Sequence, residues 1–218
     1  MDSVVALRVR DVAVCLYSAR HRQQVFSRIQ LQKLIYLMDV LSICLEVVSV
    51  EGGHQTYFHG PYDKNIQNSA DMLAFWELSD VRNIRASDRG VTCEYSLNDR
   101  GTLWVCDLIK NDENTKKRYE ICDYLIEALI NRGEMKNLVS LVYAEPLFVK
   151  NKSLGYGVEL NLNYLEDNDF YYFFLLLRDA YQISGEVDLT AFVSDFMVDY
   201  LIKRKAALFT REMEDNYA

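Results

Sequence analysis

Only 2 prolines and 9 glycines punctuate the 218 residues, too few for a loop-rich or disordered chain. Long regular elements are expected, mostly helices. The five cysteines (Cys15, Cys44, Cys93, Cys106 and Cys122) form no C-x-x-C pair and join no histidine cluster. Their odd number and wide spacing indicate neither a disulfide framework nor a zinc site. Most fall in apolar helical runs, where a free thiol behaves as a small hydrophobe, and this points to a reducing compartment. No apolar run approaches the ~18 uninterrupted residues of a membrane span. Met1-Asp2-Ser3-Val4 lacks the basic start and cleavage site of a signal peptide. A cytoplasmic protein is expected.

An excess of positive charge is also missing. The formal net charge is -8, and it is uneven: residues 1–50 lean basic, whereas residues 163–218 are strongly acidic. Such a chain repels a phosphate backbone over most of its surface, which argues against nonspecific nucleic-acid binding. The acidic end serves solubility or meets a basic protein. What is abundant is apolar: 50% of residues are hydrophobic, among them 15 Tyr and 10 Phe. That is enough for one sizeable core, or one domain with a helical extension. Tyrosine buries its ring while its hydroxyl stays wet, so wide, partly polar packing surfaces are expected.

Hydrophobic periodicity predicts a first helix over 3–20, with Val5, Val9, Val12 and Leu16 on one face. Ser27-Arg28-Ile29-Gln30 reads as a capping box opening a second helix whose stripe is Leu31, Leu34, Ile35, Met38, Leu41 and Leu45. A short strand is expected at 47–50, paired with 56–58. Gly60-Pro61 announces a third helix over about 63–78, followed by strand-like runs at 81–86 and 91–97 hinged at Asp88-Arg89-Gly90. Asn98 or Asp99 caps the next helix. Further helices are predicted from Thr115 to Arg132, ended by Gly133, then over 135–144, 167–183 and 188–212, with a loop at 147–163. The reading is mainly α (α+β): a winged-helix-like domain with a small β-hairpin over 1–112, then a helical bundle over 113–218 packed on it as an extension or as part of one continuous domain.

Three stretches stand out: Arg28-Ile29-Gln30-Leu31-Gln32-Lys33-Leu34-Ile35-Tyr36-Leu37, Tyr57-Phe58-His59-Gly60-Pro61-Tyr62-Asp63, and Tyr95-Ser96-Leu97-Asn98-Asp99-Arg100-Gly101. In this order they resemble the YwgA-like and SocA-type (Panacea) antitoxin family, over about the first two thirds of the chain. Asn98 stands where that pattern has Thr, and can cap a helix equally well. The resemblance implies a non-enzymatic module that neutralises a toxin by binding it, delivers a partner to a protease, or serves as a subunit of a bacterial immunity system.

The candidate partner-binding residues are Gln32, Lys33, Tyr36, Tyr57, His59, Gly60, Pro61 and Tyr62. Their alternative role is structural: Gly60-Pro61 sets the entry angle of the third helix, while Lys33 snorkels at a wet edge or bonds the Gly60-Pro61 loop together with Gln32. Tyr36, one turn on, extends that contact. A winged-helix regulator of transcription is the competing class. It would read bases with Asn65, Gln67 and Asn68 and anchor phosphates with Arg82, Arg85 and Arg89, with Arg20, Arg22 and Arg28 near by. Asp63, Asp71, Glu77 and Asp80 on or after that helix oppose it. A hydrolase built on His59 and Asp63 lacks a nucleophile at a recognisable spacing. Lys116-Lys117-Arg118 marks a contact surface at a helix start, and Lys203-Arg204-Lys205 suits a helix end. Asp195 and Asp199 share an exposed face but are too few for a metal. No cofactor is expected.

Overall fold

The computed structural model describes residues 3–47, 53–88, 90–162, 169–182 and 188–217. Helix α1 (Ser3–His21) buries Val9, Val12 and Leu16 and ends on Arg20 and His21, cations that suit the negative end of the helix dipole. Helix α2 (Arg28–Cys44) starts with the expected capping box: Ser27 Oγ accepts from the Gln30 amide, and the Gln30 side chain accepts from the Ser27 amide. The stripe read from the sequence understates this helix. Every residue from Leu31 to Ser42 is buried, because α1, α3, α5 and α6 pack around it. A helix enclosed on all sides places its polar residues in the core along with its leucines.

Helix α3 (Lys64–Phe75) is capped by Asp63, whose carboxylate accepts from the Asn65 amide. It ends before 78 because Glu77 turns to a left-handed φ of 56° and leads into β2. Strands β2 (Ser79–Ser87) and β3 (Gly90–Leu97) form the expected hairpin, with a register irregularity between Arg82 and Arg85. A two-residue strand that sequence patterning missed, β1 (Phe26–Ser27), pairs with the other side of β3, giving an antiparallel sheet of order β1-β3-β2. Asn98 caps α4 (Asp99–Asn111) by accepting from the Gly101 amide at 2.9 Å. Gly101 itself sits so close to the chain end of α3 that a Cβ there would lie 2.0 Å from the Leu78 carbonyl oxygen.

Helix α5 (Glu113–Asn131) packs on α1 and α2, so the residues after 112 share a core with those before it. Its cap is Asp112 and not Thr115, since the Asp112 carboxylate accepts from the amides of Asn114 and Thr115. A 3₁₀ turn (Met135–Asn137) leads into α6 (Leu138–Val142). The loop expected at 147–163 begins instead as a helix, α7 (Pro146–Lys152). Glu145 caps it and Pro146 occupies the first turn, where its missing N–H costs nothing. Helices α8 (Asp169–Gln182) and α9 (Leu189–Tyr217) complete the chain. Asp195 and Asp199 are not a free acidic face, because Arg132 reaches both from α5 and ties α9 down.

Two strand expectations need correction. Residues 56–58 form no strand: Gln55 makes single bridges to Tyr62 and Glu159, so this segment lies against 155–160. Val47 is not in a strand either, and 48–50 lie outside the described residues. The protein is mainly helical with one small sheet. No helix among the described residues is long and apolar enough to cross a membrane.

Candidate functional site

A buried cluster of charge sets the position of the Tyr57–Asp63 loop. Arg8 of α1 donates to Asp11 (3.1 Å), Asp39 of α2 (2.6 Å) and Asp63 at the cap of α3 (2.8 Å). Arg118 of α5 donates to Asp11 and Asp39, each at 2.6 Å, and to Ser42 at 3.0 Å. Two guanidinium groups thus face three carboxylates, all shut off from water. Burial works against the Asp39 charge, yet Arg8, Arg118 and the bond from His54 outweigh it and hold that carboxyl well below its ordinary range. His54 is buried, and that burial lowers its pKa and keeps the ring neutral. Its Nε2 lies 2.8 Å from Asp39 Oδ2, which assigns the proton to Nε2 and leaves Nδ1 without a hydrogen-bond partner among the described residues. The 3.3 Å approach of Arg8 Nη2 to Nε2 is then donor to donor.

Two α2 side chains hold the loop from below. The Gln32 amide spans Asp63, donating to its carbonyl (2.7 Å) and accepting from its N–H (2.8 Å). Lys33 Nζ donates to the Pro61 carbonyl at 2.7 Å. This is the loop contact that the sequence offered as one alternative. The snorkelling alternative is excluded, because Lys33 is only 2% exposed. Gly60 takes a left-handed φ of 87°, and a Cβ there would stand 3.0 Å from Lys33 Nζ and 3.1 Å from the Tyr143 ring. On the far side Tyr143 donates to the Phe58 carbonyl at 3.0 Å, and Thr56 donates to the Gly155 carbonyl at 2.7 Å.

On this fixed backbone stands an aromatic surface. Phe58 stacks on Tyr156 at 4.3 Å, Tyr57 meets Phe58 edge-on, and Tyr57 lies 5.2 Å from the Tyr62 ring. Tyr57, Phe58 and Tyr156 are 50%, 65% and 59% exposed. A slot of about 130 Å³ opens beside them. Helix α2 contributes Arg28, Ile29, Gln32 and Lys33 to its walls, the loop contributes Tyr57, His59, Gly60 and Tyr62, and α3 contributes Gln67. Burial alone pulls the Lys33 ammonium down to about 7.

The structure therefore divides the candidate residues. Tyr57 and His59 are exposed and Tyr62 is half-buried, whereas Gln32, Lys33, Gly60 and Pro61 lie beneath them. Tyr36 leaves the group: it is 0% exposed, and its hydroxyl donates to Glu145, the cap of α7, at 2.5 Å. A residue so placed cannot touch a partner. The Asp63 carboxylate is engaged by Arg8 and the Asn65 amide, while His59 faces solvent, so these two do not form a catalytic pair. Arg118 is in the core rather than on a basic contact surface.

Of the candidate DNA contacts, Asn65 and Gln67 are half-buried, Asn68, Arg82 and Arg85 are exposed, and Arg89 lies outside the described residues. Arg82 faces Asp80, Arg20 faces Asp99, Arg22 faces Asp123 and Arg28 faces Asp71. Sequence reasoning missed Arg8, Phe58, Tyr143 and Tyr156 as parts of this site. Gly155-Tyr156-Gly157, an aromatic between two turn formers, was the available signal for the last. Comparison with protein-family models and with curated proteins gives no match.

Proposed function

We propose that this chain is a non-enzymatic protein-interaction module, an antitoxin, adaptor or immunity-complex subunit, that meets its protein partner through the Tyr57–Asp63 loop. The observation that carries the reading is the exposed Tyr57-Phe58-Tyr156 aromatic surface on a backbone pinned from both sides. Aromatic side chains held rigid before binding lose little entropy on association and dominate interface energetics. The sequence resemblance to the Panacea family supports the same class. Gln32 and Lys33 of the first motif hold the second motif, and Gly101 of the third closes α4 onto Leu78.

The order α1, β1, α2, α3, β2, β3 with pairing β1-β3-β2 supports a winged-helix reading of the first part of the chain. That architecture keeps a DNA-binding regulator as the second reading. The carboxylates facing Arg20, Arg22, Arg28 and Arg82 weigh against it, since a phosphate would have to displace them. The test is co-purification with the partner by a Tyr57→Ala/Phe58→Ala/Tyr156→Ala variant. Loss of the partner with the fold intact supports the reading, and retention overturns it. A gel shift on upstream DNA that weakens steeply with salt would favour the regulator.

A further inference from the structure

The slot between α2, α3 and the loop holds an incompletely satisfied cation. Lys33 Nζ finds one acceptor among the described residues, the Pro61 carbonyl, and no carboxylate within ion-pair reach. An ammonium carries three donors, so two remain for an occupant. The walls include two cations, Lys33 and Arg28, and no Asp or Glu, in a chain whose net charge is -8. The slot has about 130 Å³ of free space, room for the side chain of an aspartate or glutamate. Ile29 and the tyrosine rings would flank its methylene stem.

We infer that this slot receives the carboxylate of an acidic side chain on the protein partner, with Lys33 as its buried counter-ion. The inference rests on the interaction reading above and adds the chemistry of the partner's anchor. The low proton affinity of free Lys33 fits it, because a desolvated ammonium without a counter-ion sheds its proton easily and a bound carboxylate restores the charge. Binding above neutral pH is then accompanied by proton uptake. Arg28 lends further positive potential from the slot wall, though its Nε and Nη2 are engaged by Tyr95 and Asp71.

The test uses propionate as the probe and propionamide as its neutral counterpart, titrated into the ¹⁵N-labelled full chain while the amides of Lys33, His59 and Gly60 are followed. Propionate should give saturable shifts below about 0.1 M, with propionamide about tenfold weaker. Lys33→Met should abolish the response. Gln67→Glu, at a half-buried wall position, keeps the test valid if the Lys33 variant folds poorly, and should weaken propionate about tenfold by like-charge repulsion. Equal binding of propionamide, an unchanged response in either variant, or no saturation would overturn the inference. Propionate needs no partner, so its failure removes the slot and leaves the aromatic loop to be judged by its own variants.

Discussion

Arg118 on α5 and Asp39 on α2 meet 2.6 Å apart in the centre of the protein, both closed to solvent. Arg8 approaches the same carboxylate from α1 at the same distance and passes the contact on to Asp63 at the head of α3. One ion network therefore joins four helices and fixes where the Tyr57–Asp63 loop ends. Buried ions of this kind are costly to desolvate, and removing one partner leaves the others without compensation.

Arg118→Met should accordingly destabilise the protein by about 3–5 kcal/mol, read as a lower urea midpoint at unchanged slope. A loss within the range of an ordinary surface substitution would mean that Asp11 and Asp39 do not depend on Arg118.

Asp39 gives the network a pH signature. Its folded pKa lies below the unfolded value of about 4, so its contribution is complete above that value and is lost as pH falls through the folded one. Stability should decline below about pH 4, and Asp39→Asn should both lower stability at neutral pH and flatten the acid limb of the urea midpoint against pH.

Lys33 acts in the opposite part of the scale. Its folded value of about 7 lies below the unfolded value of about 10.4. Between the two the unfolded chain binds more protons, so stability rises with pH. The hydrogen bond with Cys122 and burial raise the Cys15 thiol, and burial raises that of Cys44; both act the other way above about pH 8.5. The rise is therefore sought between pH 7 and 8.5. Urea midpoints of the wild type should climb over that window, while those of Lys33→Met should stay flat.

Gly101 offers a steric test. A methyl group there would sit 2.0 Å from the Leu78 carbonyl oxygen and 2.8 Å from the Leu97 side chain, and backbone cannot rotate away. Gly101→Ala should cost about 3 kcal/mol, a fall of roughly 10 °C in the melting temperature. An unchanged melt would mean that α4 can move off the end of α3.

Much of this architecture was legible because its signals are local. The capping box at Ser27, the Asn98 cap and the hairpin around Gly90 each need only neighbouring residues. Gln32 and Lys33 were readable as supports of the loop because two polar residues on an apolar helix need a partner. What could not be read depends on packing between distant elements. Arg118 follows two lysines and reads as surface until α5 is laid across α1 and α2. Tyr36 shares a face with Lys33, but Glu145, the cap of α7, claims its hydroxyl. The Phe58 platform needs Tyr156, almost one hundred positions away, to complete it.

The aromatic loop is tested most directly by isolating the tagged chain from its native host beside the Tyr57→Ala/Phe58→Ala/Tyr156→Ala variant. Native mass spectrometry would identify the bound material, and an absorbance ratio would report nucleic acid. The expected result is a stoichiometric protein partner on the wild type that the variant loses while its melting temperature holds. The same partner retained by the variant, or nucleic acid as the bound component, would contradict the account.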